Sequence, residues 1–153
     1  MLLQTIGIFN ENIQLDILRE DLRHPFVSGN KWWKLKYNVA EAKRLNSSSI
    51  VTFGGAYSNH LAATAAAGKE AGITTIGIVR GEDDAQNATL QFCRTQGMQV
   101  HFISREKYRL KDISSFNFEN YFLVPEGGSN DLGVKGCCEM GVGFKENYDF
   151  VLC

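Results

Sequence analysis

Two short stretches carry residue types that could do chemistry. Ser28-Gly29-Asn30-Lys31 flanks a lysine with small residues, and Ser58-Asn59-His60 sets a hydroxyl, an amide and an imidazole in a row shortly after Phe53-Gly54-Gly55. A primary amine becomes nucleophilic when burial disfavours its ammonium form, and it then condenses with a carbonyl to a Schiff base. A serine at a helix start, with unpaired backbone N–H groups beside it, suits an anion such as a carboxylate. The pair of stretches therefore fits amine-and-aldehyde chemistry. Each residue also has a purely structural reading: a solvated surface lysine for Lys31, a helix N-cap for Ser58, and local backbone hydrogen bonds for Asn59 and His60.

The elements around these residues alternate strand and helix. Residues 49–53 form a short β-branched, apolar run that Gly54-Gly55 ends, and 58–70 are alanine-rich good helix formers that Gly72 stops. Strands are expected again at 74–79, 99–103 and 121–124, with helices at 85–96, closed by Gly97, and at about 130–144. A last run, 148–153, reads as the beginning of a strand. Near-continuous apolar strands separated by helices indicate an α/β fold with a parallel sheet and helices on both faces. Ligands of such sheets bind beyond the carboxyl ends of the strands, and both 54–60 and 125–130 lie at such ends. Earlier in the chain 13–18 is short and mixed, 25–30 is turn-like, and 31–45 has the spacing of an amphipathic helix with Trp32, Leu35, Val39 and Ala42 on one face. Lys31 then falls in the first turn of that helix, where the macrodipole disfavours a positive charge.

Composition narrows the function classes. The chain has 153 residues, 44% of them hydrophobic and 22% charged, enough to build one real core. Its net charge of -1 leaves no basic stripe to displace counterions from nucleic acid. No run approaches the roughly 20 apolar residues that span a bilayer, and the first residues lack the pattern of a signal peptide, so a cytoplasmic location is expected. The four cysteines, Cys93, Cys137, Cys138 and Cys153, show no CxxC spacing and read as reduced thiols. The three histidines are far apart in sequence, which gives a zinc site little support.

Three motifs in order carry a family resemblance. Ser28-Gly-Asn-Lys31-Trp-Trp-Lys-Leu-Lys-Tyr37, Phe53-Gly-Gly-Ala-Tyr-Ser-Asn-His60 and Val124-Pro-Glu-Gly-Gly-Ser-Asn130 with Leu132-Gly133 resemble the 1-aminocyclopropane-1-carboxylate deaminase and D-cysteine desulfhydrase family. The resemblance implies the tryptophan synthase β-like (fold type II) architecture and pyridoxal 5'-phosphate as cofactor. It implies that Lys31 holds the cofactor in Schiff-base linkage and moves the substrate's proton, and that Asn59 hydrogen-bonds the cofactor's 3'-hydroxyl. It places Ser58 beside the substrate carboxylate, as a catalytic and substrate-binding residue, with Asn59 and His60 also facing substrate. Members with Ser-Asn-His act as desulfhydrases and the deaminases tend to Ser-Asn-Gln, so His60 points to D-cysteine or a related small amino acid. A complete enzyme of this kind is expected to be a homodimer, with no nucleic-acid or membrane partner.

Two departures accompany the resemblance. Family members often carry arginine where Trp33 stands, so Lys-x-Arg-Lys reads Lys31-Trp-Trp-Lys34. Family chains are also about twice as long, and their cofactor-phosphate loop is expected beyond Cys153. The expected organisation is an N-terminal arm over 1–44, a small α/β domain over 45–145 and, over 146–153, a strand returning to a larger domain. Such a chain alone is expected to retain the cofactor weakly. The competing reading is a catalytically silent α/β unit that binds a small acidic ligand or a partner chain through its strand-end loops.

Overall fold

A computed structural model of the chain describes residues 2–9, 13–82, 86–142 and 148–152. Its centre is strand β3 (Ser49–Gly54), all six residues of which are buried. β3 is buried because it has a neighbour on each side: β4 (Thr74–Arg80) and β6 (Tyr121–Val124) both run parallel to it, and β5 (Gln99–Ile103) extends the sheet beyond β4. The order is thus β5-β4-β3-β6. The chain fills one side of β3 first and then crosses to the other, so the direction of winding reverses between β3 and β6. A crevice at the carboxyl ends of those two strands follows from the topology.

Side chains alternate across β3 and sort into two layers. Ile50 faces Leu35 and Ala42 of α1 (Asn30–Arg44), Ala63 and Ala66 of α2 (Asn59–Ala71), and Val124. On the same side of the sheet, Leu61 and Ala65 of α2 join Val79, Met98 and the buried Leu90 and Cys93 of α3 (Ala88–Thr95). Val51 and Phe53 point the other way, into a cluster with Ile76, Ile78, Ile103 and Tyr108, which Ile113, Phe116 and Phe118 close. Tyr108 belongs to α4 (Arg105–Leu110), a short helix capped by Ser104. Helices therefore cover both faces, as expected for this α/β class, and the strands at 49–54, 74–80, 99–103 and 121–124 match the reading from periodicity.

Several elements differ from that reading. The expected helix over 85–96 spans Ala88–Thr95, because the Asn87 side chain accepts from Leu90 N at 2.9 Å and starts the helix there; residue 85 lies outside the described residues. The helix expected over 130–144 is α5 (Asp131–Val142), and 143–147 lie outside the described residues. Residues 148–152 belong to no strand, since a strand is made by its neighbour and neither β5 nor β6 pairs with them. Phe150, Val151 and Leu152 are exposed. Residues 13–18 pair antiparallel as β2 (Ile13–Leu18) with β1 (Leu3–Phe9), a hairpin whose Ile6, Ile8, Ile13 and Leu15 are exposed. Helix α1, grouped with an arm by sequence, contributes Leu35 and Ala42 to the core around β3.

Candidate active site

The start of α1 is set by Gly29, whose φ of +58° is a left-handed value that glycine adopts without penalty. Lys31 sits in the first turn. It is half-buried, its Nζ donates to Asn30 Oδ1 at 2.9 Å, and burial followed by the neighbouring charge of Lys34 lowers its pKa, with Cys137 acting weakly in the opposite sense. A lowered pKa favours the neutral form of the amine.

The start of α2 depends on Gly54. A Cβ there would lie 2.6 Å from Leu61 Cγ and 2.8 Å from Ser58 Oγ, so only glycine lets β3 turn into the helix at this distance. Ser58 is the N-cap, its Oγ accepting from Leu61 N at 3.3 Å; the structural role is present. Asn59 is exposed and its side-chain amide has no partner among the described residues. His60 turns inward and is only 3% exposed. Its Nε2 lies 2.9 Å from Thr52 Oγ1, which in turn donates to the Val124 carbonyl at 2.8 Å. Burial first, then the charges of Lys31 and Lys34, bring the imidazole pKa down to about 4, so the ring is neutral at physiological pH.

The loop after β6 completes the edge. Glu126 accepts from Tyr108 Oη and Lys111 Nζ, both at 2.6 Å, which pins the turn Glu126–Gly128. Gly128, at φ +68°, lies against α1: a Cβ on it would be 3.1 Å from Lys34 Cβ and 3.7 Å from His60 Cε1. Asn130 accepts from Gly133 N at 2.9 Å to cap α5, and it exchanges two amide hydrogen bonds with the fully buried Asn38 of α1, at 2.8 and 3.1 Å. Asn38 also donates to the Lys34 carbonyl at 2.7 Å. The helix bearing Lys31 and the loop at the end of β6 are thus locked together, and Lys34, Gly128, Asn130, Gly133 and Cys137 line an open cleft beside them.

The fold brings Lys31, Lys34 and His60 within electrostatic reach of one another, with Ser58 and Asn59 in the two positions preceding His60. Thr52, Lys34 and Asn38 were not among the residues singled out for the site. Thr52 had a signal, a polar residue inside a strand that is otherwise apolar and buried, which must find a partner. Asn38 had one as well, an amide between Leu35 and Ala42 on a helix face that meets the core. Trp33 is a packing residue: it is buried, its Nε1 donates to Glu20 Oε2 at 2.7 Å, and the Arg23 guanidinium lies 4.5 Å above its ring. A cation therefore lies against this side chain. Among the described residues no cluster of His, Cys, Asp and Glu could hold a metal ion, and no helix is long and apolar enough to cross a membrane.

Comparison with known proteins decides the family. No family model matches the chain. A Thermotoga maritima protein assigned as a 1-aminocyclopropane-1-carboxylate deaminase is 30% identical over 150 residues, covering 90% of this chain and 48% of that protein. The bifunctional D-cysteine desulfhydrase/1-aminocyclopropane-1-carboxylate deaminase of Arabidopsis thaliana, named as mitochondrial, is 31% identical over 90% of this chain and 38% of its own length. The chain belongs to the 1-aminocyclopropane-1-carboxylate deaminase/D-cysteine desulfhydrase family. It spans about half or less of the length of the curated relatives it matches. Among solved structures, an ACC deaminase homologue superposes with a TM-score of 0.65 at 21% identity over 87% of this chain and 44% of that one. A hydrogen sulfide-producing enzyme of Fusobacterium nucleatum gives 0.62 at 15% identity, over 80% and 41%. These likenesses show the fold, that of the fold type II enzymes expected from the sequence.

Proposed function

We propose that the family chain is part of a pyridoxal-phosphate-dependent lyase or deaminase acting on a small amino acid, D-cysteine or 1-aminocyclopropane-1-carboxylate. The observation that carries this reading is the half-buried Lys31 amine, held in the first turn of α1 with a lowered pKa, beside the α2 start at the crevice between β3 and β6. The residues present fit the cofactor chemically. Lys31 offers a depressed amine for a carbonyl, Asn59 an unpartnered amide, and the first-turn N–H groups of α2 an anion-binding end.

In this reading Lys31 would hold the cofactor and carry the proton taken from the substrate Cα. Asn59 would donate its amide to the cofactor's 3'-oxygen, and Ser58 with the α2 N–H groups would orient the substrate carboxylate. His60, neutral and lodged under the helix start, backs these two residues and faces substrate. When bound, pyridoxal phosphate supplies the electron sink for the charge left as the Cα proton departs. From D-cysteine and water the balanced products are pyruvate, ammonia and hydrogen sulfide; from the cyclopropane and water they are 2-oxobutanoate and ammonia. The Ser-Asn-His turn supports D-cysteine.

The same reading assigns the hairpin and 146–153 to contacts with a larger domain, supported by the exposed Ile8, Ile13, Phe150 and Leu152. It also carries a homodimer and a cytoplasmic location. The test is an assay of the full encoded polypeptide against both substrates, alongside Lys31→Ala. Hydrogen sulfide from D-cysteine that disappears in Lys31→Ala supports the reading; turnover undiminished in Lys31→Ala overturns it.

A further inference from the structure

The buried polar chain from Val124 through Thr52 to His60 has a consequence for which face of the imidazole is reactive. The Val124 carbonyl can only accept, so the single hydroxyl proton of Thr52 is committed to it at 2.8 Å. The contact between Thr52 Oγ1 and His60 Nε2, at 2.9 Å, must then be donated by the ring. A neutral imidazole with its proton on Nε2 has a bare lone pair on Nδ1, and His60 Nδ1 is buried with no hydrogen-bond partner among the described residues. His60 as a whole is 3% exposed. The ring carbon between the two nitrogens, Cε1, lies 3.7 Å from where a Gly128 Cβ would be, and Gly128 lines the cleft with Lys34. An unpaired buried acceptor costs stability unless a donor reaches it.

We propose that Thr52 is a positioning residue that locks His60 in its Nε2–H tautomer, so that Nδ1 accepts a hydrogen bond from an N–H or O–H donor of the ligand bound beside Lys31. The tautomer half of this statement follows from the fold alone; the donor half rests on the proposed function, which makes the cleft a ligand site. Thr52 touches neither substrate nor cofactor and acts through His60. A threonine is suited to the task because its hydroxyl both donates to Val124 and accepts from the ring, which valine, of the same shape, cannot do.

The experiment is nitrogen NMR of the histidine-labelled chain, comparing wild type, Thr52→Ser and Thr52→Val. Wild type and Thr52→Ser are expected to carry the His60 proton on Nε2. Thr52→Val is expected to lower the Nε2–H to Nδ1–H ratio about tenfold, the worth of one buried hydrogen bond. A proton on Nδ1 in wild type overturns the tautomer assignment even if Thr52→Val does not fold, and an unchanged ratio in a folded Thr52→Val overturns it too. Pyridoxal 5'-phosphate is then added to the wild-type full encoded polypeptide, labelled in the same way, with its binding followed by mass after borohydride reduction. A displaced Nδ1 resonance in the loaded chain supports the acceptor role, and an unmoved one overturns it. Failure of the cofactor to bind at all overturns the donor half with the proposed function and leaves the tautomer result standing.

Discussion

Gly136→Ala sets two well-understood effects against each other, and the structure decides which wins. Gly136 lies within α5, and an interior helical glycine is about 1 kcal/mol less favourable than alanine, so propensity alone says the substitution stabilises. A Cβ at Gly136, however, would fall 1.9 Å from the carbonyl oxygen of Trp33 and 2.7 Å from its carbonyl carbon. The obstacle is backbone of α1, which cannot rotate aside as a side-chain tip can, so the two helices must separate. Overpacking of this kind costs typically about 1–3 kcal/mol and occasionally more. Separation also strains the Asn38–Asn130 amide pair and the contacts of Lys36 and Tyr37 with Glu139, which cross the same interface. The net expectation is a loss of roughly 1–3 kcal/mol, with these added strains taken to cancel the propensity gain of about 1 kcal/mol. Urea unfolding followed by tryptophan fluorescence reads it directly, because Trp32 and Trp33 both lie on α1 and Trp33 is buried. Gly141→Ala is the control: it lies in the same helix with no described residue within 4 Å of its Cβ position, and it should be neutral or stabilising by a few tenths of a kcal/mol up to about 1. If Gly136→Ala is as stable as Gly141→Ala, the close backbone approach of α1 and α5 does not exist and the placement of α1 against the β6 loop falls with it.

Other expectations follow from the same contacts. His60 has a folded pKa of about 4 against an unfolded value near 6.5, so the unfolded state binds the extra proton between these values and stability is lost as pH falls. The loss from pH 7 to pH 5 should be about 2 kcal/mol by urea unfolding, and His60→Gln should flatten that part of the profile. Asn38→Ala leaves the Asn130 Nδ2 donor without its partner, while Asn130 Oδ1 keeps Gly133 N, which should cost about 2–4 kcal/mol as loss of hydrogen bonds and a small cavity; a midpoint shift near zero would contradict the interlock.

The strands and most helix positions were legible because they depend on local pattern. The β-branched run at Ser49–Gly54, the alanine-rich run stopped by Gly72 and the repeat of strands at 74–80, 99–103 and 121–124 read correctly from period and punctuation. The strand at the end of the chain did not, because pairing is a property of two segments and the local sequence holds only one. Helix α1 shows the intermediate case. Leu35 and Ala42 are buried and Trp32 and Val39 half-buried, as their spacing implies, but Trp33 and Asn38 are buried too, because α5 covers a second face that no pattern within α1 announces.

The candidate site divides in the same way. Local propensity and motif order, written along the chain, set out the groups in turn: an amine at Lys31 in the first turn of a helix, a serine cap at Ser58, an amide at Asn59 and an imidazole at His60. Packing between distant segments turns His60 inward to Thr52, brings Asn38 to Asn130 and takes solvent from Lys31 beside Lys34. Those outcomes depend on which strands adjoin β3 and on how closely glycines let backbones approach, and both are set by contacts between residues far apart in sequence.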